Sequence, residues 1–287
     1  DLGHCLAALT RSGSVEPFAL GAHDAVDRFD PPQRLYGRET EVRALLESFA
    51  RVARGGVQIV LVGRQAGVGK TSLVQEIYHP ITRERAYFAT GKFDQLQHNV
   101  PFGAIVAALA DLVQQLLTES EASIAAWRDR IQHAVQPNGR LLTDVVPALE
   151  LIIGPQPAIP DLDPFEAQNR FKLVFQSFVQ VFCKREHPLV LFLDDLQSAD
   201  PASLNLVTLI LSARSTESLL LVMTYRDSEV AQDHPFTVAM QELAQQDVPV
   251  ATMELAPLTP ADVAQLAAVD VFVALDGTTP VATIFAS

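Results

Sequence analysis

The chain reads as an α/β protein, a parallel β-sheet covered by helices on both faces. Three observations predict this. Near-continuous apolar runs of strand length recur at residues 57–62, 189–193 and 219–224. The segments between them carry apolar residues at helical spacing. The first apolar run stops at a glycine-rich turn that leads straight into a helical pattern, the layout of a strand–loop–helix unit.

The elements follow in order. Residues 1–35 read as a connector from an upstream domain: Leu2, Cys5, Leu6 and Leu9 fit a short helical stripe, and polar residues and Pro31-Pro32 follow. After Gly37, the stripe Val42, Leu45, Leu46, Phe49, Val52 predicts a helix that ends at Arg54-Gly55-Gly56. Strand 57–62 precedes the turn, and Leu73, Val74 and Ile77 continue the next helix to about residue 78. Residues 86–90 form a short candidate strand. Residues 101–185 read as mainly helical, with stripes at Ile105, Leu109, Leu112, Leu116 and at Phe171, Val174, Phe175, Phe178, Phe182, divided by a proline-rich connection at 154–164. Phenylalanines at this spacing are read as packing. Strand 189–193 is followed by a helix that Asp200 would cap, with Pro201 in its first turn. Strand 219–224 and a weaker strand at 252–255 complete the sheet. The expected division is a core over 36–257, then the start of a helical lid and a divergent or truncated tail over 258–287.

The turn spells GRQAGVGKTS, residues 63–72. Gly67 and Gly69 let backbone N–H groups face a phosphate where a Cβ would clash. Val68 and Ser72 complete the wrap, and the next helix turns its positive end toward the same anion. Lys70 would reach the terminal phosphates and Thr71 would ligate Mg²⁺. The pattern resembles the phosphate-binding loop of the P-loop NTPases, G-x-x-x-x-G-K-[ST], with one departure. Arg64 stands where the motif has glycine, and Gly63 lies one residue early.

The second apolar strand ends in Asp194-Asp195. Parallel sheets place ligands beyond the carboxyl ends of their strands. If this strand lies beside strand 57–62, Asp194 would hold Mg²⁺ and Asp195 would orient an attacking water. Two solvated acids before a helix would spell the same. The third strand ends in Thr224-Tyr225-Arg226-Asp227. Arg226 would sense the terminal phosphate, or pair as a surface arginine with Asp227 or Glu229. Tyr36-Gly37-Arg38-Glu39 precedes the first helix, where an NTPase can wrap the base or ribose; Arg38 is the candidate side chain.

Composition narrows the partners. The net charge of −13 argues against a broad nucleic-acid surface, which needs a basic face. Cys5 and Cys183 have no metal-ligand spacing and read as reduced thiols. No apolar run reaches membrane-spanning length and no signal peptide opens the chain, so the expected location is the cytoplasm. The chain opens at Asp1 rather than methionine, as expected of a piece of something longer.

Taken together, LYGRE, GVGKT, LFLDDLQSAD and TYR resemble the STAND and AAA-type signalling ATPases. The longer phrases FALGAHDAVDRFDPPQRLYGRE, YFATGKFDQLQHNVPF, LELIIGPQP, EAQNRFKLVFQSFVQVFC and MELAPLTPADV resemble, more closely still, the ATPase module of large bacterial hybrid kinases. The resemblance covers about residues 1–267. It implies a P-loop NTPase of the ASCE/AAA type with a helical insertion and a truncated helical lid. It also implies ATP and Mg²⁺ as ligands, flanking kinase and sensor domains as partners, and slow hydrolysis serving a regulatory switch. A homo-oligomer with an arginine supplied by a neighbour is a further implication, for which Arg170 is a candidate. Ser198 stands where the family usually has tryptophan. Two other readings stay open: a nucleotide-binding scaffold that does not hydrolyse, favoured by Arg64 and Ser198, and an origin-recognition-type ATPase acting on DNA, which the acidic balance opposes. Neither H-R-D nor D-F-G occurs, so a protein-kinase active site is not expected in this segment.

Overall fold

The computed structural model describes residues 35–263, apart from 36, 66–67, 95–100, 160–162, 214, 232 and 247. These all fall in one compact unit, Arg34–Gln265. The expected connector and tail, together with Cys5, Tyr36 and Gly67, lie outside the described residues.

Five strands form one parallel sheet: β1 (Gly56–Gly63), β2 (Tyr87–Lys92), β3 (Leu189–Asp194), β4 (Ser218–Tyr225) and β5 (Val250–Glu254), in the order β2-β3-β4-β1-β5. The expectation that the strand of the two acids neighbours the strand of the loop is corrected here, because β4 lies between β1 and β3. All five strands still run the same way, so their carboxyl ends share one edge.

Alternating side chains build a core on each face. Val60, Val62, Val190, Phe192, Leu220 and Val222 face α1 (Glu39–Ala53), α2 (Lys70–Glu76) and α3 (Tyr78–Arg83), where Leu45, Phe49, Leu73, Val74 and Ile81 meet them. Ile59, Leu61, Leu191, Leu193, Leu221 and Met223 face the other way. That side is covered by the helical insertion between β2 and β3: α4 (Gly103–Leu117), α5 (Glu121–Val135), α6 (Arg140–Thr143), α7 (Glu150–Ile153) and α8 (Pro164–Phe182). The phenylalanine stripe of α8 is core, as its spacing predicts, with Phe175, Phe178 and Phe182 fully buried. Trp127 stacks on Phe182 at 4.9 Å.

The same face takes α9 (Pro201–Leu211), capped by the Asp200 carboxylate on the Ser203 N–H as expected, and α10 (Pro235–Gln245). The helix that the sequence predicts down to residue 78 instead breaks at Ile77, and α3 follows as a separate turn. Cys183 is a buried free thiol whose pKa burial pushes up. Among the described residues no helix is long and apolar enough to cross a membrane.

Candidate functional site

The loop at 64–69 joins β1 to α2 at the carboxyl edge of the sheet. Gly69 opens α2 at φ +90°, and a Cβ there would meet no protein atom within 4 Å. The glycine is therefore required by the left-handed backbone and not, as the sequence reading expects, by a clash. Arg64, at the motif's missing glycine, holds φ +147°, a conformation that favours glycine. Its guanidinium lies 3.7 Å from Glu254. Lys70 is 7% exposed, and its ammonium donates to the carbonyls of Arg64 at 2.8 Å and Gln65 at 3.0 Å. Burial lowers its pKa, Asp195 raises it, and Arg226 lowers it further. Thr71 and Ser72 are exposed at the start of α2, and Val68 is half-buried.

The loop and the acid pair meet. Thr71 Oγ1 donates to Asp194 Oδ2 at 3.0 Å across 123 residues of sequence. Asp194 is buried, and its other oxygen accepts from Thr224 Oγ1. Asp195 has left-handed backbone at φ +59°, which Asp tolerates better than most residues. Its N–H donates to Thr224 Oγ1 at 3.2 Å, so one hydroxyl on β4 positions both acids. Burial pushes the Asp195 carboxyl up. The Gln197 amide at 3.0 Å and the Lys92 ammonium at 3.0 Å, with Arg226 beyond them, outweigh burial and hold it below the ordinary carboxylate range. Ser198 is buried, with its N–H on the Asp195 carbonyl at 2.9 Å.

Arg226 joins this group. Its Nε lies 3.6 Å from Asp195 Oδ1, its N–H donates to Gln197 at 3.2 Å, and Nη1 donates to Glu229 at 2.9 Å. Both sequence readings of this arginine are thus present in the geometry. Arg38 is different. It is 4% exposed, and its guanidinium donates to Ala256 O at 2.6 Å, Val68 O at 3.3 Å and Glu41 at 3.2 Å. It touches the phosphate loop from behind. Arg170 pairs within α8 with Glu166 at 2.6 Å.

Three residues of the cluster are absent from the sequence-based candidates: Lys92, Thr224 and Gln197. Lys92 ends β2 in register with Asp194 and spans both acids, 3.8 Å from Asp194 and 3.0 Å from Asp195. Lys92 and Thr224 are the last polar residues of otherwise apolar strands, the same signal that marks Asp194.

Among the described residues no group of three or more His, Cys, Asp or Glu could hold a metal ion alone. One hydroxyl and one carboxylate 3.0 Å apart suit Mg²⁺ in particular, which takes few protein oxygens and completes its shell with phosphate and water.

A strand, a glycine loop ending in Lys-Thr, a helix, and a buried acid two strands away define a P-loop NTPase fold. Residues 34–222 match the family model of the AAA ATPase domain, and the chain belongs to that family. Membership implies nucleotide binding, typically with Mg²⁺. The chain is 37% identical over 199 residues to hybrid signal transduction histidine kinase G of Dictyostelium discoideum, a match covering 69% of this chain and 6% of that protein. Among solved structures it is similar to Cdc6p from Pyrobaculum aerophilum, with 15% identity over 85% of this chain and 51% of that one and a TM-score of 0.48. It is also similar to the Aeropyrum pernix ORC1 protein solved in complex with DNA, with 14% identity over 84% of this chain and 50% of that one and a TM-score of 0.43.

Proposed function

We propose that this segment binds ATP with Mg²⁺ and hydrolyses it slowly, as a nucleotide-dependent regulatory switch within a cytoplasmic, kinase-linked signalling protein. The observation that carries the reading is the Thr71–Asp194 hydrogen bond of 3.0 Å, which joins the loop hydroxyl to a buried carboxylate at one sheet edge. Identity to a hybrid kinase supports the kinase-linked context; the match spans 6% of that relative, so the activity of any parent chain is part of the proposal.

Each residue has a stated task. Lys70 exchanges its bonds to the Arg64 and Gln65 carbonyls for phosphate oxygens, and the amides of Val68, Gly69 and Thr71 orient the same group. Thr71 Oγ1 and Asp194 hold Mg²⁺, which when bound supplies Lewis-acid neutralisation of phosphate charge. Asp195, kept ionised by Gln197 and Lys92, accepts a hydrogen bond and orients water; its low pKa makes it an orienting group more than a strong base. Arg226, reached through Gln197 and Asp195, meets charge that develops on the terminal phosphate. ATP and ADP would then order the site differently.

Calorimetric titration of wild type and Lys70→Ala with ATP·Mg²⁺ tests the binding step. Equal affinities would remove the loop from the account. Turnover divides two readings, since the strained Arg64 favours a module that binds without hydrolysing. Steady-state phosphate release that Asp195→Asn abolishes supports the switch; no release from the wild type supports the scaffold.

A further inference from the structure

The sequence reading places Arg38 beside the base or ribose. Its surroundings point elsewhere. All of its recorded bonds go to the protein: Val68 O in the phosphate loop, Ala256 O just past β5, and Glu41 in the first turn of α1. A buried guanidinium needs such partners, and here they come from three separate segments. Val68 precedes Gly69. In a trans peptide the carbonyl of one residue and the N–H of the next point in opposite directions. Holding Val68 O toward Arg38 therefore turns Gly69 N–H the other way. The neighbouring Gly37 adds a second link. It has φ +67°, and a Cβ there would fall 2.3 Å from the Asp262 side chain. Asp262 in turn caps the next helical turn: the Thr259 N–H donates to its carboxylate at 2.9 Å, and its own N–H donates to Thr259 Oγ1 at 3.3 Å.

We infer that Arg38 is a positioning residue. It sets the direction of Gly69 N–H by gripping the Val68 carbonyl, and with Gly37 it ties the phosphate loop to the segment 256–262 that leaves the sheet. Nucleotide at the loop and movement of that segment are thereby coupled through one side chain. This rests on the nucleotide-binding reading above and assigns Arg38 a role in it that needs no contact with the base.

Hydrogen exchange read by mass spectrometry tests it, on wild type, Arg38→Gln and Arg38→Lys, with and without saturating ATP·Mg²⁺. In the wild type, nucleotide slows exchange in peptides covering 68–74 and also in those covering 256–263. In Arg38→Gln, ATP affinity falls on the order of 10- to 100-fold, as for a misplaced binding group. At saturation, the 68–74 peptides are still protected while the nucleotide-induced change at 256–263 is lost. Arg38→Lys keeps the charge and the buried stem but cannot reach both carbonyls, so it shows the same loss, and it serves if Arg38→Gln does not fold. A residue that merely stabilised the fold would raise exchange in both states and leave the nucleotide-induced difference intact. Persistence of the 256–263 response in either folded variant overturns the inference, as does a wild type protected at 68–74 alone. A wild type with no protection at 68–74 overturns the nucleotide-binding reading itself.

Discussion

Replacing Arg64 by glycine should make the protein more stable. Arg64 holds φ +147°, where a side chain is strained and glycine is not. Such a residue costs of order 1–3 kcal/mol in the folded state. Two losses oppose the gain. Glycine makes the unfolded chain freer, which costs about 0.4–1 kcal/mol. The Arg64–Glu254 pair is also lost, but it is 3.7 Å long between side chains 40% and 71% exposed, so it contributes only a few tenths of a kcal/mol, at the low end of surface pairs (about 0.2–1). The net stabilisation is ~1 kcal/mol, a rise of about 2–4 °C in Tm for a unit of this size. Scanning calorimetry without nucleotide measures it, with Arg64→Ala beside it. Alanine also loses the ion pair but keeps a Cβ in the strained conformation, so it should gain much less. An unchanged or lower Tm for Arg64→Gly refutes the strain argument. An equal rise in both variants would assign the effect to the removed guanidinium instead.

The remaining predictions concern the acid pair and the core. Thr224→Val keeps the shape but removes the hydroxyl that serves Asp194 and the Asp195 N–H; it should cost about 1–3 kcal/mol in urea unfolding, the range for buried groups left unpaired. Lys92→Met should cost ~1 kcal/mol or less at neutral pH, because Lys92 is 66% exposed and its pairing is screened. The pH dependence has a definite sign: Asp195 is depressed in the fold, so its contribution is present above the unfolded carboxylate value of about 4 and is lost as pH falls through the folded one. The gap between wild type and Lys92→Met should therefore narrow below about pH 4, and a gap that widens in acid would contradict it. Phe178→Ala, at a fully buried position of α8, should cost about 3–5 kcal/mol, and a loss under 1 kcal/mol would mean that the insertion packs more loosely than described.

The legible part of the fold is the part that local chemistry decides. Apolar runs of strand length gave β1, β3 and β4 within one or two residues, and Asp200-Pro201 located α9. Strand order was not legible, because β4 enters between β1 and β3 through crossovers that no local pattern encodes. The helix α10 was overlooked although His234-Pro235 and the stripe Phe236, Ala239, Met240, Leu243 mark it. At the site, the phosphate loop and acid pair were readable because glycine, lysine and carboxylate have few alternatives at a strand end. Lys92 and Thr224 sat at equivalent strand ends and could have been found by asking what closes each apolar run. Arg38 could not be placed from sequence, since two of its partners lie 30 and 218 residues away. Nor could the φ of Arg64, which only the path of the chain reveals.

The account rests on a metal-assisted phosphate site shared by α2 and the end of β3. ATP affinity measured with and without Mg²⁺, in wild type and Asp194→Asn, tests it most directly. The prediction is that Mg²⁺ tightens ATP binding in the wild type, and that in the variant this increment disappears while Mg²⁺-independent binding through Lys70 remains. An equal Mg²⁺ increment in both proteins would place the metal away from Asp194 and contradict the account.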